Sequence, residues 1–311
     1  MEIKDFGKVG VLMGGPSSER EISFKSGKAV LSALLESGVE AVGIDITTDE
    51  VEANIQLIRQ ANLKTAFIAL HGRFGEDGAI QEILEKIRIP YTASGVLASR
   101  LAMDKIGALK MFRDGGLYVP KSNFLEKTIY QKNKVYENNL GLPLVIKPAN
   151  HGSSIGLSLV ETTEALPAAI DLAFQFDQRI IIEEFIFGRE LTVGVLGTEA
   201  LPVIEIISKH KFFDYEAKYQ AGLTEYIIPA QLDEIVAKKA QEAALTAHKL
   251  LGCFGCSRTD IILDKTGLPF VLEVNTIPGM TATSLLPKAA KIRGIDFNHL
   301  CLKLLELAYE K

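Results

Sequence analysis

Asp260, Glu273 and Asn275 carry oxygen donors inside two apolar segments, Arg258-Thr259-Asp260-Ile261-Ile262 and Phe270-Val271-Leu272-Glu273-Val274-Asn275, which flank the turn Asp264-Lys265-Thr266-Gly267. A hairpin pairing 264 with 269 sets Asp260 opposite Glu273. The two-residue period then places Asn275 on their face. Three hard oxygens on one face suit Mg²⁺, which takes carboxylates and substrate phosphates while keeping some waters. The alternative is a solvated acidic face, and the apolar neighbours favour a buried hairpin instead.

Two further constellations suit charged ligands. Lys147 closes the apolar run Leu142-Pro143-Leu144-Val145-Ile146, a costly place for a charge unless it is paired or meets a ligand. The next residues, Pro148-Ala149-Asn150-His151-Gly152-Ser153-Ser154-Ile155-Gly156, could wrap backbone N–H groups around a phosphate or simply form a hairpin turn. Gly14-Gly15-Pro16-Ser17-Ser18-Glu19 follows an apolar run, at the strand end where parallel sheets hold ligands. Ser18 and Glu21 have capping-box spacing. Glu19 suits a ligand ammonium, or only the dipole of the helix that starts there.

Behind these residues the pattern predicts their supports. From residue 8 to about 91, runs such as 9–13 and 66–70 end at glycines and are followed by helical spacing over 17–38 and 78–87, which reads as a small parallel sheet with crossover helices. After about 96 come short apolar runs at 117–124, 144–147, 155–160 and 180–184, with helices expected over 99–115 and 163–176. The last part mixes strands at 191–196, 200–207, 257–263 and 269–274 with a helix over 232–251 and another closing the chain. The fold class is thus α/β followed by α+β, with domains expected at 1–97, 98–186 and 187–311.

Composition narrows the partners. Among 311 residues, Lys plus Arg number 34 and Asp plus Glu 39, so no basic excess exists for a nucleic-acid backbone or an anionic membrane. No run of about 18 apolar residues occurs, and the charged lead-in Met1-Glu2-Ile3-Lys4-Asp5 lacks a signal peptide's apolar stretch, which predicts a soluble, cytoplasmic protein. Cys253, Cys256 and Cys301 are too few for a disulfide scaffold. The Cys253/Cys256 spacing lacks a second pair or a His set for zinc, so core thiols are expected. Neither a Walker A motif nor G-x-G-x-x-G is present.

Taken together, the chain resembles the D-alanine–D-alanine ligases of the ATP-grasp superfamily. The matching segments are Gly14-Gly15 with Ser17 to Ser23, Ala69-Leu70-His71-Gly72 with Gly75-Glu76-Asp77-Gly78, Pro90-Tyr91-Thr92, Met103-Asp104-Lys105 and Val145-Ile146-Lys147-Pro148 with Gly152-Ser153-Ser154. Asp214 to Tyr219, Arg258-Thr259-Asp260, Leu272 to Thr276 and Pro278 to Thr281 follow in family order.

The resemblance implies an ATP-grasp fold with an N-terminal Rossmann-like domain, ATP lying between the central and C-terminal domains. It implies that Lys105, Lys147, Ser153, Ser154 and Lys218 meet the phosphates, Glu183, Glu184, Phe185 and Ile186 the adenine, and Glu190 the ribose. Glu184 stands where several relatives have lysine. Asp260, Glu273 and Asn275 become ligands of two Mg²⁺ or Mn²⁺ ions. Glu19, with His71 near, takes the ammonium of the first D-alanine. Arg258 and the Gly279 amide face its carboxylate, and Ser284 with the Leu285 amide holds that of the second. A loop around Lys218 and Tyr219 closes the site, Tyr219 being linked to Ser153 and Glu19. The lid sequence Glu216-Ala217-Lys218-Tyr219 resembles the amine-using rather than the lactate-using type.

The implied chemistry moves the γ-phosphoryl group onto a carboxylate, after which an amine attacks the acylphosphate and phosphate leaves. The product, D-alanyl-D-alanine, serves peptidoglycan synthesis. A homodimer is compatible with the resemblance. The other readings are a ligase of the same superfamily joining a different carboxylate and nucleophile, and a nucleotide-binding protein without catalysis.

Overall fold

The alternating pattern of the first ninety residues builds a three-stranded parallel sheet. In this computed structural model, which describes residues 6–130, 139–152, 155–208 and 224–311, β1 (Val9–Gly14) is the centre strand between β2 (Ala41–Ile46) and β3 (Thr65–Ile68). Helices α1 (Arg20–Glu36), α2 (Val51–Gln60) and α3 (Ala79–Lys86) complete this layer. Being covered on both faces, β1 is buried throughout and reads as an unbroken apolar run. Its Val9, Val11 and Met13 face Val30, Ala33 and Leu34 of α1, whereas Leu12 faces Ile55 and Ile58 of α2 and Ile80 and Ile83 of α3.

An antiparallel sheet follows, ordered β4 (Ser122–Glu126), β7 (Arg179–Glu184), β5 (Leu144–Pro148), β6 (Ser158–Val160). Helix α6 (Leu166–Ala173) covers one face, packing on Leu144, Ile146, Ile180 and Ile182. The intervening residues Lys147 and Glu183 therefore point to the other face.

The third sheet is antiparallel, ordered β11 (Thr224–Ile227), β10 (Ile204–Ser208), β8 (Gly188–Leu196), β12 (Cys256–Asp264), β13 (Pro269–Asn275), with β9 (Glu199–Ala200) paired to β8. Leu191, Val193, Ile261, Leu263, Val271 and Val274 bury one face against α7 (Glu234–Leu250) and α5 (Lys105–Asp114). Alanines at 240, 243, 244 and 247 let α7 lie close to the sheet. Helices α8 (Leu285–Ile292) and α9 (Phe297–Ala308) pack back on the first sheet, so the beginning and end of the chain share one core.

Several sequence expectations need correction. The helix expected over 99–115 is two helices, α4 (Val96–Met103) and α5, because Asp104 leaves helical geometry (φ −78°, ψ 88°) and the Lys105 N–H bonds Ala149 O at 3.2 Å. The strand expected over 117–124 begins only at Ser122, and the one over 200–207 splits into β9 and β10 around Pro202. Individual signals for β2 and α2 were missed, since β2 is a partly exposed edge strand with little apolar contrast. All three cysteines are free and buried.

Candidate active site

The metal-candidate hairpin owes its geometry to an irregularity that simple pairing does not foresee. Leu263 pairs with Pro269, Ile262 with Phe270 and Ile261 with Val271, yet Asp260 pairs with Glu273 and Arg258 with Asn275. The register shifts by one, leaving Leu272 as the extra residue. Counting by twos from Val271, which is fully buried in the core, would have turned Glu273 inward as well. The bulge presents both Leu272 and Glu273 to the ligand face while Val274 returns to the core. The turn pairs 263 rather than 264 with 269, and the bulge restores the expected Asp260–Glu273 pair.

Each acidic group is held by neighbours. Asp260 Oδ1 accepts from the Thr192 hydroxyl at 2.7 Å and Oδ2 from Arg258 at 3.1 Å. Lys105 Nζ lies 3.1 Å from Glu273 Oε2 and donates to His151 O at 2.8 Å. Asn275 Oδ1 accepts from the Ile277 N–H at 3.0 Å. Among the described residues no group of three or more His, Cys, Asp or Glu side chains forms a metal cage. Two carboxylates and one amide are instead the partial protein donor set that suits Mg²⁺ or Mn²⁺ when substrate phosphates supply the rest.

A cleft between the second and third sheets is lined by Lys105, Lys147, Glu183, Glu184, Phe185, Ile186, Glu190, Asp260 and Glu273. Lys147 Nζ pairs with Glu183 Oε1 at 2.7 Å, both groups being buried. Among the described residues Glu183 Oε2 is buried with no hydrogen-bond partner, an acceptor that a ligand N–H would satisfy. The Glu184 carboxylate accepts from the Lys121 N–H at 2.9 Å. The N–H groups of Glu184 and Phe185 donate to Lys121 O at 2.9 Å and Pro143 O at 3.1 Å.

A second pocket brings together Glu19, His71, Arg258, Glu273, Asn275, Gly279 and Ser284 from segments far apart in sequence. The Ser18–Glu21 capping box is not formed. Glu19 itself occupies the cap position of α1, and the Ser17 hydroxyl accepts from the Glu19 N–H at 3.2 Å while donating to His71 O at 2.7 Å. Glycine is required at 72, where φ is +72° and a Cβ would stand 2.8 Å from Glu19 Oε2. Ser284 caps α8 by position, but its hydroxyl bonds Thr281, and because Pro287 has no N–H the first turn of α8 offers an anion the Leu285 and Leu286 amides.

Ser26 and Tyr226, which the sequence reading had not marked, also line this pocket, as does Glu76 of the Gly75-Glu76-Asp77-Gly78 segment. Ser26 lies seven positions after Glu19 on α1, a helical-face signal that was available. Burial raises the Glu76 carboxyl above the usual carboxylate range, the Glu19 charge adding to this and the His71 contact opposing it. Burial likewise raises the Tyr226 phenol. Thr192 had no signal, because nothing in the sequence pairs β8 with β12. Ser153, Ser154, Lys218 and Tyr219 lie outside the described residues.

A cleft between two antiparallel sheets, beside a parallel-sheet layer, is the arrangement of an ATP-grasp enzyme. Family models described as the D-ala D-ala ligase N-terminus and C-terminus match residues 48–94 and 111–306. The D-alanine–D-alanine ligase of Pelotomaculum thermopropionicum is 48% identical over 312 residues, covering 97% of each chain. That of Nitrosomonas eutropha is 47% identical, covering 100% of this chain and 99% of its own. Among solved structures, the D-alanine–D-alanine ligase from Bacillus anthracis complexed with ATP superposes with a TM-score of 0.85 at 32% identity, over 97% of both chains. The VanG D-Ala:D-Ser ligase from Enterococcus faecalis does so with 0.82 at 34% identity, over 97% of this chain and 99% of that one. The chain belongs to the D-alanine–D-alanine ligase family.

Proposed function

We propose that the protein joins two D-alanines at the expense of ATP, giving D-alanyl-D-alanine, ADP and phosphate for peptidoglycan precursors. The observation that carries this reading is that Lys105, Gly152 and Glu273 line both the nucleotide cleft and the amino-acid pocket. The far end of a triphosphate in the cleft therefore meets a carboxylate in the pocket, as phosphoryl transfer requires.

Lys105 and Lys147 offset phosphate charge, and the cleft wall from Glu183 to Ile186 receives the adenine, with Glu190 at the ribose. Ser153, Ser154 and Lys218 belong to the phosphate side of this reading, and Tyr219 to its lid. Asp260, Glu273 and Asn275 would hold divalent metal, two Mg²⁺ or Mn²⁺ ions in this reading, which would neutralise charge on the phosphates. Glu19 holds the first ammonium, with His71 beside it. Arg258 and the Gly279 N–H stabilise the oxyanion as the acylphosphate carbonyl is attacked. Ser284 and the α8 amides orient the second carboxylate.

The three sheets support the division at 97 and 186, although the first and third parts share a core. No helix among the described residues is long and apolar enough to cross a membrane. Action in the cytoplasm belongs to the same reading, as does a homodimer, which sedimentation would test.

The deciding experiment measures phosphate release from ATP with a panel of D- and L-amino acids and D-lactate, with products identified by mass spectrometry. D-alanyl-D-alanine is expected to dominate when D-alanine and D-lactate compete at pH 7 to 9. Release of phosphate with another acceptor but not with D-alanine would overturn the reading.

A further inference from the structure

Ser26 sits two turns along α1 from Glu19, is 1% exposed, and touches two functional segments at once. Its hydroxyl oxygen lies 3.0 Å from His71 Nε2 and accepts the N–H of Met280 at 3.2 Å. His71 Nδ1 in turn lies 3.5 Å from Glu76 Oε1. A line of polar groups thus runs from Glu76 through His71 and Ser26 to the backbone next to Gly279, crossing from the first sheet's layer to the loop after β13.

Hydrogen-bond capacity orients this line. The Met280 N–H can only donate, so it takes a lone pair of Ser26 and leaves the serine proton to be given away. His71 Nε2 is the polar side-chain atom 3.0 Å away. Ser26 keeps a second lone pair for an Nε2 proton, but the Glu76 carboxyl 3.5 Å from Nδ1 selects the other form, in which a neutral imidazole carries its proton on Nδ1 and Nε2 accepts from Ser26. We propose that Ser26 is a positioning residue of the amino-acid pocket, fixing the Nδ1-protonated form of His71 beside Glu19 and tying the Gly279–Met280 backbone to α1. The second part of this role rests on the ligase reading, because it is there that the Gly279 amide meets the reacting carboxylate.

The geometry explains why two parts of the chain 254 positions apart must be in register for the pocket to work. The Met280–Ser26 bond ties the residue next to Gly279 to the helix that Glu19 caps. A serine is the smallest side chain that both accepts from an amide and donates to an imidazole at a position with no room to spare.

The test uses the full-length protein and Ser26→Ala. Imidazole ¹⁵N shifts of the parent should show His71 protonated at Nδ1, and the variant should lose that preference. Exchange of the Met280 amide should quicken at least tenfold. kcat should fall about 10- to 100-fold, as is usual when a group orienting a functional side chain is removed, with KM for ATP within twofold. A parent protonated at Nε2, or a variant with unchanged Met280 exchange, overturns the proposal. So does a variant with parental kcat. The shifts and the exchange need no turnover, so a parent with no ligase activity would sink the functional reading while leaving the tautomer and the tether to be judged on their own. If the alanine variant does not fold, Ser26→Cys, close in size but a weak donor, replaces it with the same readouts.

Discussion

Lys105 Nζ stands 3.1 Å from Glu273 Oε2, joining the first residue of α5 to the bulged segment of β13 where the two cavities meet. Neither group is fully exposed, their side chains retaining 9% and 27% of their accessible surface. The contact fixes the carboxylate at the place where phosphate charge would gather.

Replacing Glu273 by Gln keeps the size and removes the charge. Thermal unfolding should move little, while turnover at saturating Mg²⁺ should fall on the order of 10³-fold if metal and phosphate are held there. Turnover within threefold of the parent would remove Glu273 from the metal set.

Glu19 is tested by its selectivity. In Glu19→Gln the ammonium of the first D-alanine would lose its carboxylate in a buried position, a loss of about 3 kcal/mol or more. KM for that substrate should rise much more than KM for ATP. Equal changes in both constants would mean that Glu19 supports the site as a whole rather than the ammonium.

Gly72 supplies an independent route to the same carboxylate. Alanine there meets Glu19 Oε2 at 2.8 Å and must adopt a φ of +72°, which costs about 1–2 kcal/mol for a residue with a Cβ. Gly72→Ala should therefore lower stability by about that amount and also weaken D-alanine binding. A destabilised variant with unchanged KM for D-alanine would show that Glu19 relaxes without consequence.

Much of this was legible from residue types. Lys147 stood out because it closes a continuous apolar run, a costly place for a charge, and β5 does turn it away from Ile146 into the cleft. Asp260 and Glu273 were paired correctly, but the bulge at Leu272 was invisible, since nothing in Phe270 to Val274 marks where a ladder slips. The break at Asp104 escaped notice for a related reason. The helical spacing continues across it, and the partner that ends α4, the Ala149 carbonyl, lies 44 residues further on. Contacts made by shape or by distant backbone, such as Thr192 on Asp260 or Ser26 on Met280, have no local signature at all.

His248 gives a prediction about pH that is independent of catalysis. It lies on α7, 5% exposed, with Nδ1 2.7 Å from the Ser257 hydroxyl on the core face of β12. Burial lowers its pKa from 6.5 to about 4. The native protein thus keeps this imidazole neutral where the unfolded chain would protonate it. Between pH 6.5 and about 4 the unfolded state binds the extra proton, so stability is intact above 6.5 and declines as pH falls. From pH 7 to 4.5 this one group should remove about 2 kcal/mol. His248→Gln abolishes the titration, and although the variant is less stable at neutral pH, its unfolding free energy in urea should fall by about 2 kcal/mol less than the parent's over that interval. Parallel pH dependences for the two proteins would show that His248 protonates in the folded state as readily as in the unfolded one.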